Sequence, residues 1–238
     1  MSSLRFWPAL TTPARRRLAG GAALVLTALP LAACGSDDAD QAADGSASTS
    51  SAGDGVACNY EADGTTSTAK MPPATAAYDG PVQATISTSA GELTVTLDGK
   101  GAPCTVNSFL SLAKQGYFDD TPCHRLTTYD ALKVLQCGDP TGTGTGGPGY
   151  TIPDELDTAG DYSAGTLAMA NTGQPDSGGS QFFIVYADSQ LPPSYTVFGK
   201  VDAAGVKVVE KVAAGGTSAP EDGAPNTPVS ITKVTADS

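Results

Sequence analysis

Basic residues and imidazole are what this chain has least of. Arginine occurs at Arg5, Arg15, Arg16 and Arg17 and then once more, at Arg125, and the one histidine is its neighbour His124. These scarcities exclude several chemistries. One histidine and no C-x-x-C pair leave a zinc site short of ligands. G-x-S-x-G is absent, and an imidazole beside a guanidinium is disfavoured from accepting a proton, so a hydrolase of the Ser–His type lacks its parts. The glycine-rich run GDPTGTGTGGPG at 138–149 has no G-K-S/T ending and no helical pattern after it, which argues against a phosphate loop. The longest apolar stretch, Leu18–Ala33, is interrupted by two glycines and a proline and is too short to read as a spanning helix. No internal repeat is visible.

Charge is lopsided as well. There are 13 Lys and Arg against 25 Asp and Glu, a formal net charge of −12. Residues 1–33 read as an export signal, with a basic start followed by the apolar stretch. That stretch ends in Leu31-Ala32-Ala33-Cys34, which resembles the lipobox of bacterial lipoproteins. An ordinary secretory signal that happens to precede a cysteine is the alternative, and the fit to a twin-arginine signal is poor. Cleavage before Cys34 would remove four of the 13 basic residues and none of the acidic ones, taking the net charge to −16. Such a surface repels nucleic acid and anionic headgroups. The expected location is the extracytoplasmic face of the cell membrane, held by acyl chains on Cys34 rather than by charge.

Residues 34–57 are almost all Ser, Ala, Gly and Asp, with no large apolar side chain before Val56, and are expected to form a disordered acidic tether. Its reach is ~25–30 Å. Residues 58–80 are mixed and are expected to be a partly ordered extension; 81–236 are long enough for one domain with its own core. Cys58, Cys104, Cys123 and Cys137 make an even set in an exported chain, so two disulfides are expected, with zinc as the less supported alternative. Three pairings are open.

Within the domain, Val82–Thr88 and Glu92–Leu97 alternate apolar and polar around Ala90-Gly91, a hairpin pattern. Val106, Phe109, Leu110 and Ala113 follow the helical period, with Thr105 as the expected N-cap and Gly116 as the stop. Leu126, Lys133–Cys137, Gly165–Asn171, Gln181–Tyr186, Tyr195–Val201 and Val229–Val234 read as strands, and Val206–Val212 as a short helix. The class is all-β with two helices, and many short strands favour a barrel.

His124-Arg125, Gln136-Cys137-Gly138-Asp139 and Gly146-Gly147 resemble the cyclophilin signature HR…QGGD…GG. Leu167–Asn171, Gly179–Ile184 and Val197–Val201 are similar to that family's LSMAN, GSQFFI and VFGKV segments, in order, across roughly 82–235. Together with the lipobox and the four cysteines, the pattern looks most like exported actinobacterial lipoprotein members. The resemblance implies a closed eight-stranded antiparallel barrel capped by two α-helices. It also implies peptidyl-prolyl cis–trans isomerase activity on proline-containing unfolded or exported polypeptides, with no cofactor. A cyclophilin-fold binding module or chaperone with little turnover is the alternative.

By the same resemblance Arg125 is the catalytic residue and His124 a supporting one. Gln136 and Gln181 would orient Arg125 and the substrate backbone, and Ala170 and Asn171 would grip the residue before proline. Phe183 would floor the proline pocket, with Val134, Leu191 and Tyr195 around it, while Phe182 and Met169 fall to the core. The segment LTTYDALKVL between Arg125 and Gln136 is about three residues longer than is usual in the family and places Lys133 and Val134 where a phenylalanine and a methionine normally stand. A replacement contact would come from Tyr129 or Leu132. Gln190 falls near a position that is tryptophan in many members, and the one tryptophan, Trp7, lies in the signal. Weak cyclosporin binding is the expected consequence.

Overall fold

The structure, a computed structural model, describes residues 55–236. The signal, Cys34 and all of the tether except 55–57 lie outside the described residues.

In chain order the first strands are β1 (Val56–Ala57), β2 (Glu61–Ala62), β3 (Thr75–Ala76), β4 (Pro81–Thr88) and β5 (Gly91–Asp98). Helix α1 (Pro103–Lys114) precedes β6 (Thr121–Pro122), β7 (Arg125–Thr127), β8 (Val134–Cys137) and β9 (Tyr150–Thr151). Then come β10 (Thr166–Met169), β11 (Phe182–Val185), β12 (Val197–Val201), α2 (Ala203–Ala213), β13 (Asp222–Gly223) and β14 (Ser230–Ala236).

Alternation builds the main sheet. Ala84 and Ile86 on β4 and Leu93, Val95 and Leu97 on β5 all turn inward and are at most 2% exposed. The two strands pair in register from Pro81↔Asp98 to Thr88↔Gly91. Ten strands join in the order β13-β7-β8-β11-β10-β12-β5-β4-β14-β6, every pair antiparallel, where eight are expected. Strands β6 and β7 sit near opposite ends of that order yet are separated only by Cys123 and His124. One short piece of chain therefore reaches both ends, so the sheet is curled. The side chains it encloses centre on Phe109, Phe118, Phe182 and Phe198, whose paired ring centroids lie 5.1–6.4 Å apart.

The helices begin earlier than their apolar periods suggest. Pro103 starts α1 because its fixed φ suits the first turn and it lacks the N–H that would go unpaired there. Thr105, the expected N-cap, lies inside that turn; Ala102 is the capping position and its methyl group makes no capping hydrogen bond. The Glu155 carboxylate does the work instead, accepting from the N–H groups of Cys104 (2.8 Å) and Thr105 (2.9 Å). At the other end Gly116 takes φ 67°. Its N–H reaches Ala113 O at 3.0 Å and that of Tyr117 reaches Leu112 O at 3.1 Å, a Schellman ending. Helix α2 starts at Ala203, with the Asp202 side chain accepting from Gly205 N at 2.7 Å.

The extension 55–80 is tied to α1 at several points. Cys58 is bonded to Cys104, and Tyr60 Oη donates to Cys104 O at 2.8 Å. Asn107 Nδ2 donates to Tyr60 Oη and to Pro73 O, and Gln115 brackets the Lys70 backbone at 2.7 and 3.0 Å. Strand β1 pairs with β3, and β2 with β9. The second disulfide joins Cys123 to Cys137, so all four cysteines serve cross-links and the zinc alternative is set aside.

The two bridges span 46 and 14 residues. On loop-closure entropy, replacing Cys58 and Cys104 by Ala should cost about 4 kcal/mol, and replacing Cys123 and Cys137 about 3 kcal/mol, in denaturant unfolding. Non-reducing peptide mass mapping should recover these two pairs; swapped pairs or free thiols would refute the connectivity.

Candidate functional site

The site is a cross-strand row on the outer face of the curled sheet. Register places Arg125 (β7) opposite Gln136 (β8), Gln136 opposite Phe183 (β11), and Phe183 opposite Ala168 (β10). Side chains directly opposite one another across antiparallel strands share a face. Stepping one residue along each strand reverses the face. Leu126, Leu135, Phe182, Ile184, Leu167 and Met169 accordingly enter the main core, whereas Val134, Ala168, Phe183 and Val185 form a second apolar cluster with Tyr162.

Over that cluster opens a cavity of about 520 Å³. Phe183, Val134, Leu132, Leu191 and Tyr195 give it apolar walls, and Arg125, His124, Gln136, Ala170, Asn171 and Asp222 stand round its polar side. Phe183 meets Tyr195 edge to face at 5.4 Å, and Tyr195 meets Tyr162 in the same way at 6.2 Å. Of the two residues that could replace the missing pocket aromatic, Leu132 reaches the cavity while Tyr129 stays 38% exposed outside it. The long segment is held back against the opposite rim by Gln190 N–H to Ala131 O (2.9 Å) and Lys133 N–H to Ser189 Oγ (2.9 Å).

The guanidinium of Arg125 is clamped. Nε and Nη2 each donate to the Asp222 carboxylate at 2.8 Å, and Nη1 donates to Gln136 Oε1 at 3.2 Å. Three of the five N–H groups that an arginine carries are thus committed and two remain for a ligand. From Gln136 the chain of hydrogen bonds continues: Gln136 Nε2 donates to Gln181 Oε1 (2.9 Å), and Gln181 Nε2 donates to Gly146 O (2.9 Å). Gly146 is itself placed by Asp139, whose buried carboxylate accepts from the N–H groups of Thr141, Gly144 and Gly146 and from Thr141 Oγ1. A side chain on Gly146 would collide with that carboxylate, so glycine is required there.

Asp222 has no counterpart in the sequence reading. It is nearly a hundred residues from Arg125, on a strand of two residues whose pairing with β7 at Asp222↔Thr127 has no periodic signal. Asn171 uses its side chain on Ser194 O and Gly173 N–H. Among the described residues its backbone N–H and C=O have no hydrogen-bond partner. Gln181 does not line the cavity and is linked to it only through its hydrogen bond with Gln136, and both ring nitrogens of His124 are buried without a partner.

Electrostatics follow the geometry. The hydrogen bond from Arg125 has the largest effect on the Asp222 carboxyl and, helped by the Arg125 charge, holds it below the usual range against the opposing effect of burial; the same hydrogen bond raises Arg125. Burial pushes Asp139 up, but its hydrogen bonds with Thr141, Gly146 and Gly144 outweigh that and bring it below the ordinary value. Burial lowers His124, and Arg125 adds to the effect, while Asp139 opposes it. Burial thus favours the neutral imidazole.

The site thus presents a guanidinium held rigidly at the lip of an apolar cavity, with backbone groups open alongside it. The family model for cyclophilin type peptidyl-prolyl cis-trans isomerase/CLD matches residues 83–236, and the chain belongs to that family. The protein described as "Probable peptidyl-prolyl cis-trans isomerase B" of Mycobacterium tuberculosis is 47% identical over 200 residues, covering 77% of this chain and 65% of that one. Its Mycobacterium leprae counterpart is likewise 47% identical, over 77% of this chain and 68% of its own. The chain thus spans about two thirds of the length of these relatives. A cyclophilin type isomerase of Cryptosporidium parvum, crystallised in the presence of the dipeptide Ala-Pro, superposes with a TM-score of 0.56 at 30% identity, covering 66% of this chain and 99% of that one.

Because Asp222 and Asp139 titrate below their unfolded values, the stability they contribute is present above pH ~4 and is lost as pH falls through their folded pKa values. The lowered His124 acts in the same direction, removing stability as pH drops below ~6.5. NMR titration should therefore show the Asp222 carboxyl carbon turning below pH 3.9, with the Arg125 Nε–H resonance moving in the same step. A midpoint at or above the free-residue value would mean that the clamp is absent in solution.

Proposed function

We propose that this protein catalyses cis–trans isomerisation of Xaa–Pro bonds in exported polypeptides, held at the outer face of a bacterial membrane by lipid on Cys34. The observation that carries the activity is the clamped Arg125 guanidinium with two open N–H groups over the Phe183 cavity. The location is supported by the Leu31–Cys34 sequence, and the partners by the apolar cavity and by the strongly acidic composition, which disfavours nucleic acid.

Rotation about a peptide bond is opposed by ~18–20 kcal/mol because the nitrogen lone pair is delocalised into the carbonyl. Catalysis needs that delocalisation weakened while one half of the substrate turns. With the proline ring on Phe183, between Leu132, Leu191 and Tyr195, an open Arg125 N–H reaches the prolyl nitrogen. It stabilises the pyramidal form that appears only in the twisted state. The free backbone groups of Asn171 hold the residue before proline, so the substrate turns against a fixed frame. A charged hydrogen bond contributes roughly 1.5–3 kcal/mol and a decade of rate needs ~1.4 kcal/mol, so Arg125 supplies one or two decades. His124 transfers no proton, since rotation requires none; it fills space beneath the guanidinium.

The frame itself is proposed to be a closed eight-stranded barrel. Counting β6, Cys123, His124 and β7 as one strand and setting aside the two-residue β13 leaves eight, with that composite strand bonded to β14 on one side and β8 on the other. The Cys123–Cys137 bridge lies at this seam, flanking both Arg125 and Gln136.

One observation favours a second reading, a peptide-binding module or chaperone with little turnover. Leu132 and Val134 stand where a larger wall is expected, so the proline is gripped less tightly. A protease-free assay on an Ala-Pro peptide separates the two. The isomerase should accelerate exchange, and Arg125→Ala should lower kcat/KM by about 10–100-fold. Arg125→Lys should not restore it, because an ammonium cannot make the planar fork to Asp222. Absence of acceleration would leave only the binding module, whereas full activity in Arg125→Ala would remove Arg125 from the catalytic account. Cyclosporin should bind with Kd above about 1 μM, since Gln190 and Leu191 offer no indole at the rim; tighter binding would overturn this account of the rim.

A further inference from the structure

The longer segment between Arg125 and Gln136 gives the cavity Leu132 in place of an aromatic wall, and it also builds a support. It turns back on itself at a Tyr129↔Leu132 bridge, where Thr127 Oγ1 donates to Leu132 O (2.9 Å) and accepts from Val134 N–H (3.1 Å). Tyr186 Oη fixes the β7 side by donating to Thr127 O at 2.6 Å. Strand β13 hangs on that edge: Leu126 and Thr127 pair with Gly223 and Asp222, and Thr128 N–H donates to Glu221 O at 2.8 Å. The 218–224 turn is closed in addition by Ser218, whose N–H donates to Ala224 O (2.8 Å) and whose Oγ accepts from Ala224 N–H (3.0 Å). Asp222 therefore arrives beside Arg125 on a turn anchored at both ends.

What this carboxylate controls follows from the hydrogens it leaves. Nη2 gives one hydrogen to Asp222 and Nη1 one to Gln136, so each terminal nitrogen keeps one N–H for a ligand. The plane of the fork to Asp222 sets the direction of both. Without that fork, the 3.2 Å bond to Gln136 is what remains to hold a partly exposed head group, and the long side chain regains rotamer freedom. Charge acts the other way, since Asp222 offsets part of the positive charge that would stabilise the twisted amide. Solvent screens an ion pair this exposed, so the offset is small. Misplacement of a reacting group by about 1 Å can cost up to about 100-fold, so orientation outweighs the offset. We infer that Asp222 is a positioning residue for the isomerisation, which keeps the open Arg125 N–H groups aimed at the prolyl nitrogen, and that the longer 126–135 segment serves to hold it there. This role rests on the prolyl-isomerase reading.

The test measures kcat and KM separately on the Ala-Pro peptide, without a coupling protease, for four disulfide-bonded chains: the unaltered protein, Asp222→Asn, Arg125→Ala and the double variant. Asparagine matches aspartate in size at a partly exposed position, so the fold is kept, but its amide offers one acceptor oxygen and turns an NH2 group toward the guanidinium. In Asp222→Asn, kcat should fall about five- to tenfold and KM should change less than about twofold, because the Phe183 cavity and the Asn171 backbone are untouched. In the Arg125→Ala background the same substitution should change kcat by less than about twofold. An unchanged kcat in Asp222→Asn would overturn the role, since Gln136 would then suffice as the clamp. A raised kcat would overturn it in favour of charge offset. A raised KM, or a loss that persists without Arg125, would mean that Asp222, which itself lines the cavity, touches substrate directly. No acceleration by the unaltered protein would refute the isomerase reading and this role with it, whereas an active protein indifferent to Asp222→Asn would refute the role alone.

Discussion

Everything at the site depends on the antiparallel register of four strands. Arg125, Gln136, Phe183 and Ala168 stand in one row because β7, β8, β11 and β10 pair without a slip along that line. A one-residue shift of β11 would send Phe183 into the core and bring Phe182 to the surface, since successive side chains face opposite ways. The ring cluster of Phe109, Phe118, Phe182 and Phe198 therefore guards the site from beneath. It holds β11 in register by burying the one phenylalanine of the pair that fits inside.

On that row the polar groups form a single connected line, from Asp222 through Arg125, Gln136 and Gln181 to the Gly146 carbonyl, with the buried Asp139 fixing the far end. Each member orients the next, so the guanidinium is left little freedom to reorganise. The Asp222 carboxylate has a double effect. It fixes the plane of the guanidinium and also offsets part of its charge, although the pair is 38% and 31% exposed and solvent screens much of that attraction. Orientation is the larger consequence.

The N-terminal extension shows how a fold is adapted without altering its centre. Residues 55–80 pair only in strands of two residues and bury few apolar side chains, so they would not hold a shape alone. The Cys58–Cys104 bond and the polar ties to Tyr60, Asn107 and Gln115 supply what a core would otherwise provide. Such a cross-link persists in an oxidising environment.

Much of this was legible in the residues. Alternation located β4 and β5, a continuous apolar run located β11, the helical period located α1, and the motif residues His124-Arg125, Gln136 and Gly179–Ile184 carried the family. Phe182 and Phe183 could be assigned to opposite faces because strand periodicity is local. Boundaries were less legible: α1 begins at Pro103 because Glu155, about fifty residues away, caps it, and Thr105 is left inside the first turn. The partner of Arg125, the disulfide pairing and the choice of Leu132 over Tyr129 belong to the tertiary structure alone. Each is a meeting of segments far apart in the chain, and such meetings leave no period or spacing behind. The sequence by itself determined which groups the protein has available and which face of each strand they take; packing decided which of them meet.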